Sequence, residues 1–297
     1  MTDSSSSRRR RSVDGSSNPT MPARQLAKEL RRLRDASGKT QVQVAKYVGC
    51  PSTTISKFET SERNVPEPHL KLMLQCYDVE LNSAYAVTLM ELAKQAREPG
   101  WWRKKHFSIP EWFDEYLGLE TAANVVETYE SEYVPGLLQT LRYIESISTA
   151  GLPNNSEGAA AVRAARQQRL LTTDDAPLTL RTILNEAVLL RPIGSPEIMR
   201  EQLASLRDAV RNNPNVMLRV LPFSAGAHPG MTGPFTILRF SEAADMDVVF
   251  IELRGDASYR DRPEDLHEYT EVFGRISDLA LSEADTVSLL AEIERKY

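Results

Sequence analysis

Cysteine is scarce in this chain: Cys50 and Cys76 are the only two in 297 residues. Two thiols without a CxxC spacing make neither a disulfide framework nor a zinc site, and they fit a reducing compartment. Long apolar runs are missing too. No stretch of about 18 apolar residues occurs, so no membrane span is expected. The segment behind Arg8–Arg11, from Val13 to Leu26, is too polar for a secretory signal. The cytoplasm is therefore the expected location, with no membrane partner. Histidine numbers only four, no HExxH occurs, and neither a metal nor a cofactor is expected. GxSxG, paired-carboxylate and GxxxxGK[ST] patterns are absent as well.

What is present is an uneven charge. Residues 1–71 hold 14 Lys/Arg against 7 Asp/Glu, a net of +7, while the remaining 226 hold 22 against 34, a net of -12. A basic head attracts phosphate at long range and an acidic body does not. Apolar residues make up 41%, enough for real cores, and the length suits two domains. Residues 1–22, rich in Ser, Arg and Pro, are expected to be a disordered tail. Its four arginines would serve as a groove-tracking arm or as a solvated tail.

From Gln25 onward the pattern is helical. Leu26, Leu30 and Leu33 share a face, and Gly38 ends the helix. Thr40, with Gln43 three residues on, starts a second helix through a capping box. Val44, Ala45 and Val48 form its buried side. Ser52 to Glu59 reads as a third helix with Ile55 and Phe58 inward, and Glu67 to Tyr77 as a fourth. Asn82 to Arg97 reads as a fifth helix, either linking the two halves or closing the first domain.

The sharpest signal is Gln41 to Thr60. Two short helices crossing steeply need a small residue where they touch, supplied by Ala45, and a turn tolerant of positive φ, supplied by Gly49. This helix-turn-helix points Ser52, Thr53, Ser56 and Lys57 outward from the helix that enters the major groove. Thr54 lies beside them. Gln41, at the start of the second helix, and Arg63, just past the third, are phosphate candidates.

This region resembles the Cro/repressor (XRE) type of helix-turn-helix, over about Gln25 to Val79, including the TQxxxA start and the later ISKFE. The resemblance implies that Arg34 pairs with Glu59 and locks the first helix against the third. Further stretches resemble actinobacterial regulators of the WhiJ-like type: EPGWW (Glu98–Trp102), VPGLLQT (Val134–Thr140), RQQRL (Arg166–Leu170), ILNEAVL through RPIG (Ile183–Gly194), the Val220–Phe240 stretch and VVFIEL (Val248–Leu253). That resemblance makes a small protein encoded nearby a plausible partner and names no activity for the second domain.

The second part reads as α+β. Helices are expected at Ala123–Glu130, Leu137–Ile147, Ala161–Leu171 and Pro196–Arg211. Strands are expected at Leu178–Leu184, Val216–Leu221, Pro234–Phe240 and Asp247–Leu253, followed by helices Pro263–Leu281 and Glu283–Lys296. The aromatics Trp101, Trp102 and Phe107 are read as packing. His228, Glu252 and Glu186 are the candidates for chemistry, each with an ordinary structural alternative, and no catalytic residue is assigned.

The expected fold is thus multi-domain: residues 1–22 a tail, 23–80 an all-α helix-turn-helix domain, 81–100 a linking helix, and 101–297 an α+β domain with a small mixed sheet. The expected function is that of a transcriptional regulator binding double-stranded DNA as a homodimer, not an enzyme, whose second domain senses a partner protein or ligand. The alternative is an antitoxin-like module that binds a small neighbouring protein. The apolar face Leu266, Tyr269, Val272, Phe273 and Ile276 would be either a dimer surface or core.

Overall fold

The computed structural model describes residues 20–98, 100, 111–149, 159–171, 177–240 and 247–297. The expected tail with Arg8–Arg11, the aromatics Trp101, Trp102 and Phe107, and residues 151–158 lie outside them. The chain forms two compact units, Met1–Glu98 and Pro99–Tyr297.

The first unit is a bundle of α1 (Met21–Ala36), α2 (Gln41–Val48), α3 (Ser52–Glu59), α4 (Glu67–Cys76) and α5 (Ala84–Gln95). Helix α1 begins four residues before Gln25, and Met21 and Ala23 are buried. The tail expected over residues 1–22 is therefore too long at its C-terminal end, because Pro22 is tolerated in the first helical turn. Gly38, at φ 66°, ends α1. Leu26, Leu30, Val44, Ile55, Phe58, Leu70, Met73 and Leu74 form one core.

Ala86, Leu89 and Ala93 of α5 belong to that same core. The Tyr85 hydroxyl bonds Glu29 on α1 at 2.5 Å and accepts from Arg32 at 2.8 Å. Arg97 donates to the Val65 carbonyl at 2.7 Å. These contacts make α5 the closing helix of the first unit rather than a linker over residues 81–100.

The second unit is built on a six-stranded mixed sheet with helices. It contains α6 (Glu111–Ala122), β1 (Val125–Glu130), α7 (Leu141–Thr149), α8 (Ala159–Leu171), β2 (Thr179–Asn185), α9 (Glu186–Leu190), α10 (Pro196–Asn212), β3 (Val216–Leu221), β4 (Phe235–Arg239), β5 (Val248–Leu253), β6 (Asp256–Arg260), α11 (Pro263–Leu279) and α12 (Glu283–Glu294). The strand order is β3-β2-β1-β4-β5-β6. The first three run parallel, and β4, β5 and β6 are antiparallel to their neighbours.

Two expectations fail here. Ala123–Glu130 is not a helix: Val125, Val126, Thr128 and Tyr129 favour a pleated strand, and β1 occupies the middle of the sheet. The helix expected over Leu137–Ile147 begins later, at Leu141, after a single 3-10 turn at Gly136–Leu138.

Successive side chains of a strand face opposite ways, and the two faces of this sheet differ. One carries Tyr129, Ile183, Phe235, Ile237 and Val249, packed on Phe273 and Ile276 of α11, with Leu266, Tyr269 and Val272 partly buried against them. The face proposed as a dimer surface is therefore core. The other sheet face carries Val126, Thr128, Glu130, Thr236, Phe250 and Glu252.

Candidate nucleic-acid interface

The joint between α2 and α3 is fixed by short-range chemistry. The Thr40 hydroxyl accepts from the Gln43 N–H while the Gln43 side chain accepts from the Thr40 N–H, closing the capping box. Gly49 takes φ 77° and ψ 34°, and its N–H and that of Cys50 both donate to the Ala45 carbonyl. A left-handed residue at this point suits glycine. Pro51 then fixes the entry to α3, whose N-terminus carries no side-chain cap.

Glu59, at the end of α3, is buried and holds three elements together. One carboxylate oxygen accepts from Arg34 Nε of α1 at 2.7 Å, and the other from Gln41 Nε2 of α2 at 2.8 Å. Arg34 also donates to the Lys39 carbonyl at 3.2 Å. Both carboxylate oxygens of a buried acid are thereby bonded, as burial demands.

With α3 so held, Ile55, Phe58 and Glu59 face inward and Thr53 and Lys57 are exposed. Ser52 and Ser56, on the same outward stripe, and Thr54 beside it are half-buried. Arg63 is exposed, and its backbone N–H returns to the Lys57 carbonyl at 3.2 Å. Ser52, Thr53, Ser56 and Lys57, named from sequence, therefore lie on one side of α3. Gln41 differs: its amide nitrogen is bonded to Glu59, so a phosphate would meet a side chain with a partner already. Sequence reasoning did not single out Val42 and Tyr47 of α2, which are 67% and 54% exposed.

In the second unit the VPGLLQT turn meets the RQQRL run. Gly136 in VPGLLQT passes so close to Arg166 that a Cβ there would lie 3.1 Å from its Nη1. Gln167 Nε2 donates to the Gln139 carbonyl at 2.7 Å, and Gln202 accepts from the Thr140 N–H and donates to the Leu138 carbonyl. Arg166 grips Glu120 with two bonds of 2.7 and 2.6 Å, both side chains buried.

The three candidates for chemistry are not gathered into one site. Glu252 accepts from the Tyr133 hydroxyl at 3.3 Å on one sheet face. His228 packs edge-on against Tyr129, which points to the other face, and burial lowers its pKa. Glu186 accepts from the Phe223 N–H at 2.7 Å. Among the described residues no helix is long and apolar enough to cross a membrane.

Residues 113–292 match the model described as a domain of unknown function, DUF5753. The chain belongs to the DUF5753 family. Ahead of the DUF5753 region, residues 25–82 match a helix-turn-helix domain. The first unit is thus a helix-turn-helix domain, the architecture of DNA-binding regulators. No curated protein matches the chain.

Proposed function

We propose that this DUF5753 protein is a sequence-specific transcriptional regulator of the Cro/repressor (XRE) type, with a WhiJ-like second domain that senses a partner or ligand. It acts in the cytoplasm as a homodimer and catalyses no reaction. The observation that carries the reading is the polar outward stripe of α3, presented by a helix that the Arg34–Glu59–Gln41 bonds tie to α1 and α2. Ser52, Thr53, Thr54, Ser56 and Lys57 are the base-reading set. Arg63 contacts phosphate, and Gln41 does so through the carbonyl end of its amide. Two such domains would read half-sites about 34 Å apart or a multiple of it.

The test is selection of bound sequences from a random DNA pool with the full chain, repeated with Lys57→Ala. A two-fold symmetric motif, altered or lost in the variant, supports the reading. A folded protein that enriches no motif overturns it.

The antitoxin-like alternative has one observation in its favour. An open groove of about 420 Å³ runs between Leu137, Leu170 and Val216, beside the 53% exposed Leu141. Co-purification of a small protein that Leu141→Glu releases would favour that alternative.

A further inference from the structure

Buried polar atoms are almost always partnered, yet Arg163 and Gln139 break the rule side by side. Nε and Nη1 of Arg163 and Oε1 of Gln139 are buried with no partner among the described residues. Arg163 is only 9% exposed and Gln139 only 4%. Both line a cavity of about 70 Å³ on the sheet face that carries Thr128, Glu130, Thr236 and Glu252.

The neighbouring Arg166 shows what a satisfied guanidinium looks like here. It holds Glu120 by two bonds and lies 5.4 and 5.6 Å from the Phe113 and Tyr116 rings. Arg163 has no equivalent: among the described residues it forms no ion pair with Glu130 or Glu252. Each carboxylate has one hydroxyl neighbour. Thr128 Oγ1 lies 3.3 Å from Glu130, and the Tyr133 hydroxyl 3.3 Å from Glu252.

The wall therefore offers unpaired donors from Arg163, and acceptors from Gln139 and two carboxyl groups. A simple anion would satisfy Arg163 and leave Gln139 Oε1 without a donor. A simple cation would satisfy the acceptors and leave Arg163 bare. A molecule carrying both charges one carbon apart answers both. Its size follows from the volume: at roughly 10–15 Å³ per water-sized sphere, the cavity takes on the order of five non-hydrogen atoms. The ammonium, α-carbon and carboxylate of a free amino acid number about that.

We propose that this cavity binds the zwitterionic head of a free α-amino acid. Arg163 takes the carboxylate, and Gln139 Oε1, Glu130 and Glu252 take the ammonium. The proposal rests on the reading of the second domain as the sensing part and supplies the class of its ligand. Burial supports the same division of roles. It presses Arg163 down to about 10, with Arg166 adding to the effect, and it raises Glu130 to about 8, helped by Glu252. Bringing a counter-charge to each relieves both.

The test is thermal unfolding and equilibrium dialysis of the full chain with each of the common amino acids, with acetate and methylamine as half-ligand probes. At least one amino acid should raise the unfolding temperature of the second unit by about 2–4 °C or more, while acetate and methylamine do not. Arg163→Met should abolish the response while unfolding at or above the wild-type temperature, because an unpaired buried charge has gone. Glu130→Gln, which keeps the shape, should weaken the response about tenfold and guards against a misfolded first variant.

Three results would overturn the proposal: no amino acid binding, which leaves a water-filled cavity; a response that survives Arg163→Met; or acetate or methylamine alone acting as well. Repeating the random-pool selection with and without the bound amino acid separates the two readings. Binding without any change in DNA affinity keeps the site and removes its sensing role. DNA binding without any amino acid binding removes the site and keeps the regulator.

Discussion

Each unit holds an arginine on a buried glutamate, and the two pairs sit in opposite company. In the helix-turn-helix unit Glu59 is closed off by Arg34 and Gln41, and both of its oxygens are bonded. In the DUF5753 unit Arg166 and Glu120 are as well matched, but Arg163 on the same helix is left, among the described residues, with unpaired N–H groups facing a polar cavity. A completed polar cluster fixes geometry, whereas an incomplete one waits for a molecule. In the first unit these bonds hold α3 still against α1 and α2. The second keeps polar groups where an apolar core would be more stable, which is the mark of a site rather than a scaffold.

The comparison breaks most severely at Arg166. Arg166→Ala strands a buried carboxylate and should cost about 3–5 kcal/mol, read as lost hydrogen-exchange protection across β1, α6 and α8 with the first unit unaffected. Arg34→Ala should cost somewhat less, about 2–3 kcal/mol, because Gln41 still bonds Glu59 and Arg34 is 14% exposed in its side chain. Thermal unfolding of the first unit checks it, and intact stability with lost DNA binding would contradict the locking role of the pair.

Lys57→Ala should leave stability within about 0.5 kcal/mol and weaken specific DNA binding by about 1–3 kcal/mol, measured by titration at fixed salt. Glu130 gives the smallest effect and a defined sign. Its pKa is about 8 when folded, above the ordinary carboxyl value near 4.5. The protonated form is favoured by folding, so its contribution is fully present below the ordinary value and lost as pH rises through about 8. Glu130→Gln should flatten that decline by on the order of 1–2 kcal/mol, read from denaturant midpoints across the range.

The helix-turn-helix was legible because its determinants are local. Thr40 with Gln43, Ala45, Gly49, and the spacing of Ile55 and Phe58 all lie within one 20-residue window. Strand β1 was not legible, for a physical reason: its middle four residues are buried on both faces. The alternation that announces a half-exposed strand is then absent, and the glutamates of ETYE read as helix. Strand β6 was missed because it is a short, polar edge strand beyond the tight turn at Gly255. The cavity was hidden by distance along the chain. Glu252 was noticed as a lone carboxylate, but its neighbours come from β1, the VPGLLQT turn and α8. The motif VPGLLQT was visible, and its chemistry was not, because Gln167 and Gln202 hold it from elsewhere in the sequence.

The central position of β1 also bears on how the chain leaves the ribosome. Thr128 bonds Thr236 across 108 residues, and at roughly 5–20 residues per second the nascent β1 waits about 5–20 s for that neighbour to be made. The helix-turn-helix is synthesised in full before β1 emerges and can fold on local contacts alone. During the interval the β4-facing edge of β1 stays open even once β2 has paired its other side, the kind of edge that recruits other strands. A chain interrupted before β4 would keep a complete helix-turn-helix unit and have no completed second unit, so premature termination would leave a folded first unit attached to an open sheet edge.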